Sequence, residues 1–247
     1  SIERFDIVDG QLMIVMELAD RNLWDRFHEC RDQGMVGLPR DELLRYMDES
    51  AEALDLMNVH HQIQHLDIKP QNLFLIHNHV KVADFGLAKD FEGIRATVTG
   101  GVTPVYAAPE TFEGWISRFS DQYSLAIVYQ ELLTGIRPFT GTNTRQLLMQ
   151  HISAAPDVSP LPFAERPIVA RALSKRPDER YPTCGDFVRA LRAAGSPSAA
   201  PAPAVMPAPV TAQTVPNVEP PSPSRSSGAD AAPPPPLAPP HAGAGGA

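Results

Sequence analysis

Eight residues, His65-Leu66-Asp67-Ile68-Lys69-Pro70-Gln71-Asn72, constrain this chain more than any other stretch. They set an acid, a base and an amide side by side, and the apolar run Leu73-Phe74-Leu75 follows at once. Pro70 lacks an N–H and would clash inside a helix, so the stretch reads as a loop leading into a short strand. A second run, Val80-Lys81-Val82-Ala83, ends on Asp84-Phe85-Gly86. Strand, turn, strand, turn is a hairpin, and it delivers Asp67, Asn72 and Asp84 to one end. Two carboxylates and an amide there suit Mg²⁺ with a phosphate, because hard cations take oxygen ligands and Mg²⁺ leaves further positions to water and phosphate.

Three motifs in this order and at these intervals resemble those of the protein kinases, specifically of their C-terminal lobe. His65-x-Asp67-x-Lys69-x-x-Asn72 is similar to the catalytic loop, Asp84-Phe85-Gly86 to the metal-binding triplet, and Ala108-Pro109-Glu110 to the end of the activation segment. The resemblance covers residues 1–193 and implies a eukaryotic-like bacterial serine/threonine protein kinase of mainly α (α+β) class. Residues 1–19 would be an N-lobe β-hairpin and hinge, 20–193 the C-terminal helical lobe, and 194–247 a disordered tail or linker.

The resemblance also implies roles. ATP and Mg²⁺ are the expected cofactors. Asp67 would orient a substrate hydroxyl and accept its proton, Lys69 would neutralise charge on the moving phosphoryl, and Asn72 and Asp84 would hold the metal. Glu17 C=O and Ala19 N–H would meet adenine, Met16 would be the gatekeeper, and Phe74 would form the floor beneath the base. Thr103 would bond to Asp67 and Lys69, and Lys69-Pro70 points to Ser/Thr rather than Tyr substrates. His65 is expected against Phe85, Asp121 at the catalytic-loop backbone, and Arg180 paired with Glu110.

Two hairpin strands, Arg4–Val8 and Leu12–Met16, are read around the turn Asp9-Gly10. Helical patterns follow at 22–31 and 39–60. In the second, Leu43, Leu44, Met47, Ala51, Leu54 and Met57 recur at three- and four-residue steps, with Arg45, Asp48 and Glu49 on the other face. Asp121 near the start of an apolar helix through Leu133 fits capping, and Gly135 stops that helix. Further helices are expected at about 142–152, 163–174 and 183–193. Where kinases often carry Gly, this chain has Ala126.

A net charge of −8 argues against nucleic acid as the main partner. Cys30 and Cys184 lie far apart without Cys-x-x-Cys spacing, which suits a reducing cytosol. No apolar run is long enough to span a bilayer. The histidines at 60, 61, 65, 77 and 79 invite a zinc reading, but Gln62 stands where His-Glu-x-x-His needs its Glu, and no Cys joins them.

Between Gly86 and Glu110 the segment is polar, with Gly100-Gly101 and the candidate phosphorylation sites Thr97 and Thr99. Family members switched by phosphorylation there carry Arg before the catalytic Asp. Here the residue is Leu66, which cannot pair with a phosphate. Activity independent of that modification is therefore expected.

Most of the twenty-six prolines lie beyond residue 196. That composition cannot offset chain entropy by burial, so the segment reads as disordered or polyproline II, a linker or, through Pro233–Pro236, a ligand for a proline-binding domain. Neither a glycine-rich loop nor a Val-Ala-x-Lys strand precedes the first hairpin. The chain thus reads as an N-terminally truncated kinase, weakly active or inactive by itself, acting on Ser/Thr of proteins. Two alternatives stand beside this. One is a pseudokinase or docking module. The other is a small-molecule phosphotransferase, which should lack Ala-Pro-Glu, Thr103 and Arg180.

Overall fold

The computed structural model describes residues 2–8, 11–84, 89–90 and 104–195. Antiparallel strands β1 (Ile2–Val8) and β2 (Gln11–Met16) pair with Phe5 opposite Ile14 and Val8 opposite Gln11. The expected turn residues Asp9 and Gly10 lie outside the described residues.

Helix α1 (Leu23–Asp32) starts at Asn22, which also ends the two-residue strand β3 (Arg21–Asn22). The Asn22 side chain accepts from Asp25 N–H and the Asp25 carboxylate accepts from Asn22 N–H, a reciprocal cap that satisfies two donors otherwise orphaned at the first turn. Helix α2 (Arg40–His61) buries Leu43, Leu44, Met47, Ala51 and Leu54 as its apolar period requires, and Tyr46 and Ser50 with them, while Met57 is only half-buried. It stops at Gln62, which takes a left-handed φ of 54°. His61 therefore closes the helix, and His65 belongs to the loop beyond it.

A three-stranded sheet in the order β3, β5 (Leu73–Ile76), β6 (His79–Val82) follows. Leu73 faces Val82 and Ile76 faces His79. The two turn residues, His77 and Asn78, both have positive φ (50° and 68°), as a two-residue hairpin turn matched to strand twist demands. His77 N–H donates to Asp20 Oδ2 at 2.8 Å and Tyr46 hydroxyl donates to Asn78 Oδ1 at 2.5 Å, so this turn is tied to its surroundings at both residues. A short pair, β4 (Ile63–Gln64) with β7 (Lys89–Asp90), frames the loop that follows α2.

The C-terminal half is helical: α3 (Pro109–Phe112), α4 (Ser120–Thr134), α5 (Thr144–Ser153), α6 (Arg166–Ala172) and α7 (Cys184–Gly195). Every residue of α4 from Ser120 to Leu132 is buried, the pattern of a helix surrounded by protein on all sides. It ends at Gly135, whose φ of 71° supplies the left-handed residue that terminates helices. Ala126, fully buried, sits in the middle of α4.

Helix bounds differ from expectation by two residues or more at the start of α5 (Thr144), at both ends of α6 and at the end of α7. Helix α6 begins at Arg166, not Phe163, because Pro167 tolerates only the first turn of a helix; Phe163 is exposed before it. Helix α7 runs on to Gly195, two residues past the expected end at 193. The helices are tied across the core by buried Glu165, which accepts from Arg40 Nε at 2.6 Å and from Tyr129 hydroxyl at 2.8 Å.

Candidate active site

The β5–β6 hairpin fixes where Asn72 and Asp84 stand. One step beyond the Leu73–Val82 pair, Ala83 N–H donates to Asn72 C=O at 3.1 Å, and Asp84 follows directly. Asn72 and Asp84 thus share the open end of the hairpin. Asn72 is buried and closes a 3-10 turn, Pro70–Asn72, with Pro70 in the first position where a missing N–H costs nothing. Its side-chain nitrogen donates to Asp67 C=O and to Asp67 Oδ2, each at 2.9 Å. Asp84 is exposed, with a φ of 67°.

Asp67 Oδ2 also receives Lys69 Nζ at 2.7 Å. Two donors converging on one oxygen orient the carboxylate, and one of them carries a full charge. Asp67 N–H donates to His65 Nδ1 at 3.3 Å, which makes Nδ1 the acceptor and leaves the ring proton on Nε2. Nε2–H then donates to Ala83 C=O at 3.0 Å. His65 therefore links the loop carrying Asp67 to the strand end carrying Asp84, through one ring and both of its nitrogens. The expected neighbour Phe85 lies outside the described residues, as do Thr103, Thr97 and Thr99.

Asp121 serves α4 differently from the cap expected of it. The helix starts at Phe119 without a side-chain cap. Asp121 instead reaches back to accept His65 N–H at 2.7 Å and Leu66 N–H at 2.8 Å. Gln64, with its amide turned to satisfy its neighbours, adds a donor to Asp121 Oδ2 at 3.2 Å and another to Ser117 C=O. Burial is the largest influence on the Asp121 carboxyl and pushes its pKa upward, against the pull of His65 and of the two backbone donors. The clamp has a conformational use. Leu66 has a φ of 67°, a left-handed backbone that costs a non-glycine residue about 1–2 kcal/mol. Leu66 and Asp84, both left-handed, bracket the reactive groups, and strain of this kind persists where surroundings over-determine it.

Glu110 and Arg180 meet as a bidentate pair, Nη1 to Oε1 and Nη2 to Oε2, both 2.8 Å, with side chains 1% and 0% exposed. Ser117 and Ser120 hydroxyls donate to Glu110 Oε1 at 2.9 and 2.8 Å. Arg180 also donates to Phe119 C=O and Ser174 C=O, each at 3.0 Å, and lies 4.9 Å from the Tyr123 ring centroid. Burial raises the Glu110 pKa, but the hydrogen bonds and charge of Arg180, with help from Ser120, outweigh it and hold the carboxyl below its ordinary value. The pair pins Pro109–Phe112 to the loop after α6. Just upstream, Ser124 hydroxyl donates to Tyr106 C=O at 2.8 Å and Tyr106 hydroxyl donates to Glu131 at 2.6 Å, so α4 also holds the segment that leads into Ala108-Pro109-Glu110.

Glu17 is exposed and Ala19 half-buried in the connection from β2 to β3, which is anchored by Asp20 N–H on Leu75 C=O at 2.9 Å. Phe74 is half-buried on β5, on the face opposite Leu73 and Leu75. Sequence reasoning missed Gln64, Ser117 and Ser120. Their only signal is small polar residues beside Asp121 where an apolar helix begins.

Comparison with known proteins agrees with this geometry. Residues 3–193 match the family model of the protein kinase domain. The chain is 36% identical over 200 residues to serine/threonine-protein kinase PknF of Mycobacterium tuberculosis, covering 74% of this chain and 40% of that protein. It is 35% identical over 162 residues to PknA of Corynebacterium glutamicum, covering 63% and 34%. With PkaA of Streptomyces coelicolor it shares 33% over 197 residues, covering 75% and 35%. The matched region thus spans less than half the length of each of these curated relatives.

Proposed function

The chain belongs to the protein kinase family, and from that premise we propose that it carries the phosphoryl-transfer end of a serine/threonine protein kinase, acting on Ser and Thr hydroxyls of proteins. The observation that carries this reading is the double hold on Asp67 Oδ2 by Lys69 and Asn72, with Asn72 backbone-paired to Ala83 beside Asp84. It is a carboxylate aimed by a cation and an amide, next to a second carboxylate.

The residues present fit Mg²⁺ and ATP. The Asn72 nitrogen is committed to Asp67, so its carboxamide oxygen and the Asp84 carboxylate are the groups that would hold a hard cation. When bound, Mg²⁺-ATP supplies the γ-phosphoryl group with part of its charge already neutralised. Asp67 fixes the substrate hydroxyl and takes its proton. Lys69 offsets charge developing on oxygen beside Asp67, in a half-buried setting where a fixed cation counts for more than in water. Phe74 would form the floor beneath adenine, and Glu17 C=O and Ala19 N–H would meet its edge. Thr103, outside the described residues, is the residue that the kinase resemblance assigns to Asp67 and Lys69 in Ser/Thr-specific members. The proline-rich sequence beyond α7 would serve as a linker or as a ligand for a proline-binding domain. A cytoplasmic setting fits the two free, buried cysteines, Cys30 and Cys184. Among the described residues no helix is long and apolar enough to cross a membrane.

The test is phosphate transfer from radiolabelled ATP by the protein that carries this chain, with matched Ser, Thr and Tyr peptides as acceptors. Asp67→Asn should lower kcat by roughly 10²–10⁴ with an unchanged circular-dichroism spectrum. Transfer within threefold of wild type, or transfer to Tyr alone, would overturn the reading.

A further inference from the structure

Between the catalytic loop and the Glu110–Arg180 pair lies a buried amide that the chemistry above does not use. Gln64 is 1% exposed, and its backbone pairs with Lys89 across β4 and β7. A methionine would fill that space and pair the same way, whereas a buried amide must find partners to offset its lost water. One end of the amide faces two acceptors, Asp121 Oδ2 and Ser117 C=O, each at 3.2 Å. That end is therefore the nitrogen, with one N–H for each. Turned the other way, the amide oxygen would confront both acceptors in exchange for two longer contacts, 3.3 Å from Asp121 N–H and 3.4 Å to Ile63 C=O. The two acceptors belong to different halves of the site. Asp121 takes His65 N–H on the same Oδ2 and Leu66 N–H on Oδ1, which holds the loop that carries Asp67. Ser117 donates its hydroxyl to Glu110 Oε1 at 2.9 Å, and Arg180 donates to the same oxygen at 2.8 Å. A continuous run of hydrogen bonds thus passes from the backbone of His65 through Asp121, Gln64 and Ser117 to Glu110.

We propose that Gln64 is a positioning residue, a role that rests on the phosphoryl-transfer reading. By joining the Asp121 clamp to Ser117, it sets the catalytic loop in register with the segment that ends in Ala108-Pro109-Glu110. Among the described residues Gln64 bonds to none of Asp67, Lys69 and Asn72; it acts through Asp121 on Leu66, and so on the aim of Asp67. The charged and titratable groups around it are Asp121 of α4, the ring of His65 and, beyond Ser117, the Glu110–Arg180 pair. Ser120, next to Asp121 in the chain, also donates to Glu110 Oε1, so the two anchors keep a second connection through α4. Loss of the Gln64 link therefore weakens the register without abolishing it.

Two variants separate positioning from packing. Gln64→Met keeps the volume and removes both N–H donors. Gln64→Glu keeps the shape and has a donor only while its carboxyl is protonated, a state that burial beside Asp121 favours. In the protein that carries this chain, Gln64→Met should lower kcat for peptide phosphorylation about tenfold at every pH, with KM for ATP within about twofold. Gln64→Glu should approach wild type at about pH 6 and fall toward Gln64→Met at about pH 8.5, as the introduced carboxyl ionises. Amide exchange in the 247-residue chain reads the same link without activity. Gln64→Met should speed exchange of Leu66 N–H, and of Trp115 N–H that donates to Glu110 C=O, by about tenfold each, with Leu147 N–H on α5 unchanged. Faster exchange at Leu66 alone would make Gln64 a local prop and overturn the proposal, as would a ratio of Gln64→Glu to wild-type activity that does not change with pH. Should wild type transfer no phosphate, the phosphoryl-transfer reading falls, while exchange at Leu66 and Trp115 still decides for or against the link. If Gln64→Met does not fold, exchange in Gln64→Glu at the two pH values, each against wild type, makes the same comparison.

Discussion

Replacing Arg180 by Met tests how the last part of the activation segment is held. The wild-type pair has two 2.8 Å contacts between side chains that are 0% and 1% exposed, and Arg180 makes two further bonds to Phe119 C=O and Ser174 C=O. Without Arg180, the Glu110 carboxylate keeps neutral donors alone, the hydroxyls of Ser117 and Ser120 and its own backbone N–H. Removing one partner of a buried ion pair costs about 3–5 kcal/mol, most of it from the charge left behind. For a domain of this size that is a fall in melting temperature of roughly 10 °C. Urea unfolding followed by circular dichroism measures it, with the denaturant slope unchanged. The double variant Glu110→Gln/Arg180→Met should be more stable than the Arg180→Met single and recover most of that loss, because the stranded charge is gone. Acid supplies a second check. The Glu110 pKa is depressed in the folded state, so its contribution is present above the unfolded glutamate value of about 4.3 and is lost as pH falls through the lower, folded value. The gap between wild type and Arg180→Met should therefore narrow below about pH 4. A loss of less than 1 kcal/mol at pH 7, or a gap that does not change with pH, would refute the reasoning.

Asp121→Asn leaves one of the His65 and Leu66 N–H donors without its acceptor, so it should cost about 1–3 kcal/mol and speed amide exchange at Leu66; unchanged exchange there would count against the clamp. Thr97→Ala with Thr99→Ala should keep activity within about twofold in the protein that carries this chain, since Leu66 is apolar and buried and offers a phosphate nothing to bind. Phosphorylation-dependent activity by the same peptide assay would contradict that. His77→Gly should raise stability by about 0.5 kcal/mol in thermal melts, because a positive φ at an exposed turn costs histidine more than glycine entropy costs the chain.

Local patterns carried the fold a long way. The three- and four-residue steps of α2 named five residues of its buried face, and Pro70 correctly ruled out a helix through the Asp67 loop. Helix α6 was misjudged at its start because the apolar pattern extends past Pro167, and the chain obeyed the proline. The left-handed backbone of Leu66 had no local signal, since leucine is among the residues least expected there; Asp121, 55 residues further on, accepts the Leu66 N–H in that conformation. Propensity is local and this contact is not. The same holds for Gln64, Ser117 and Ser120, whose polar side chains acquire meaning only once α4 and the loop before it are packed together. His65 shows a third kind of gap. The resemblance assigned it an aromatic neighbour, while its ring nitrogens supply the directional links that the described geometry displays.

Helix α4 sends Asp121 to the loop at 65–66, Gln122 to the backbone of Tyr181 and Thr183, Ser124 to Tyr106, Tyr129 to Glu165 and Gln130 to Asp157. Each of these segments is moored to this one rod by its own side chain, so one mooring can slip while the others hold. Drift in a single loop then does not spread sideways through its neighbours. The rod itself has no such freedom, and its amides should be the last to exchange with solvent, at the rate of whole-domain unfolding.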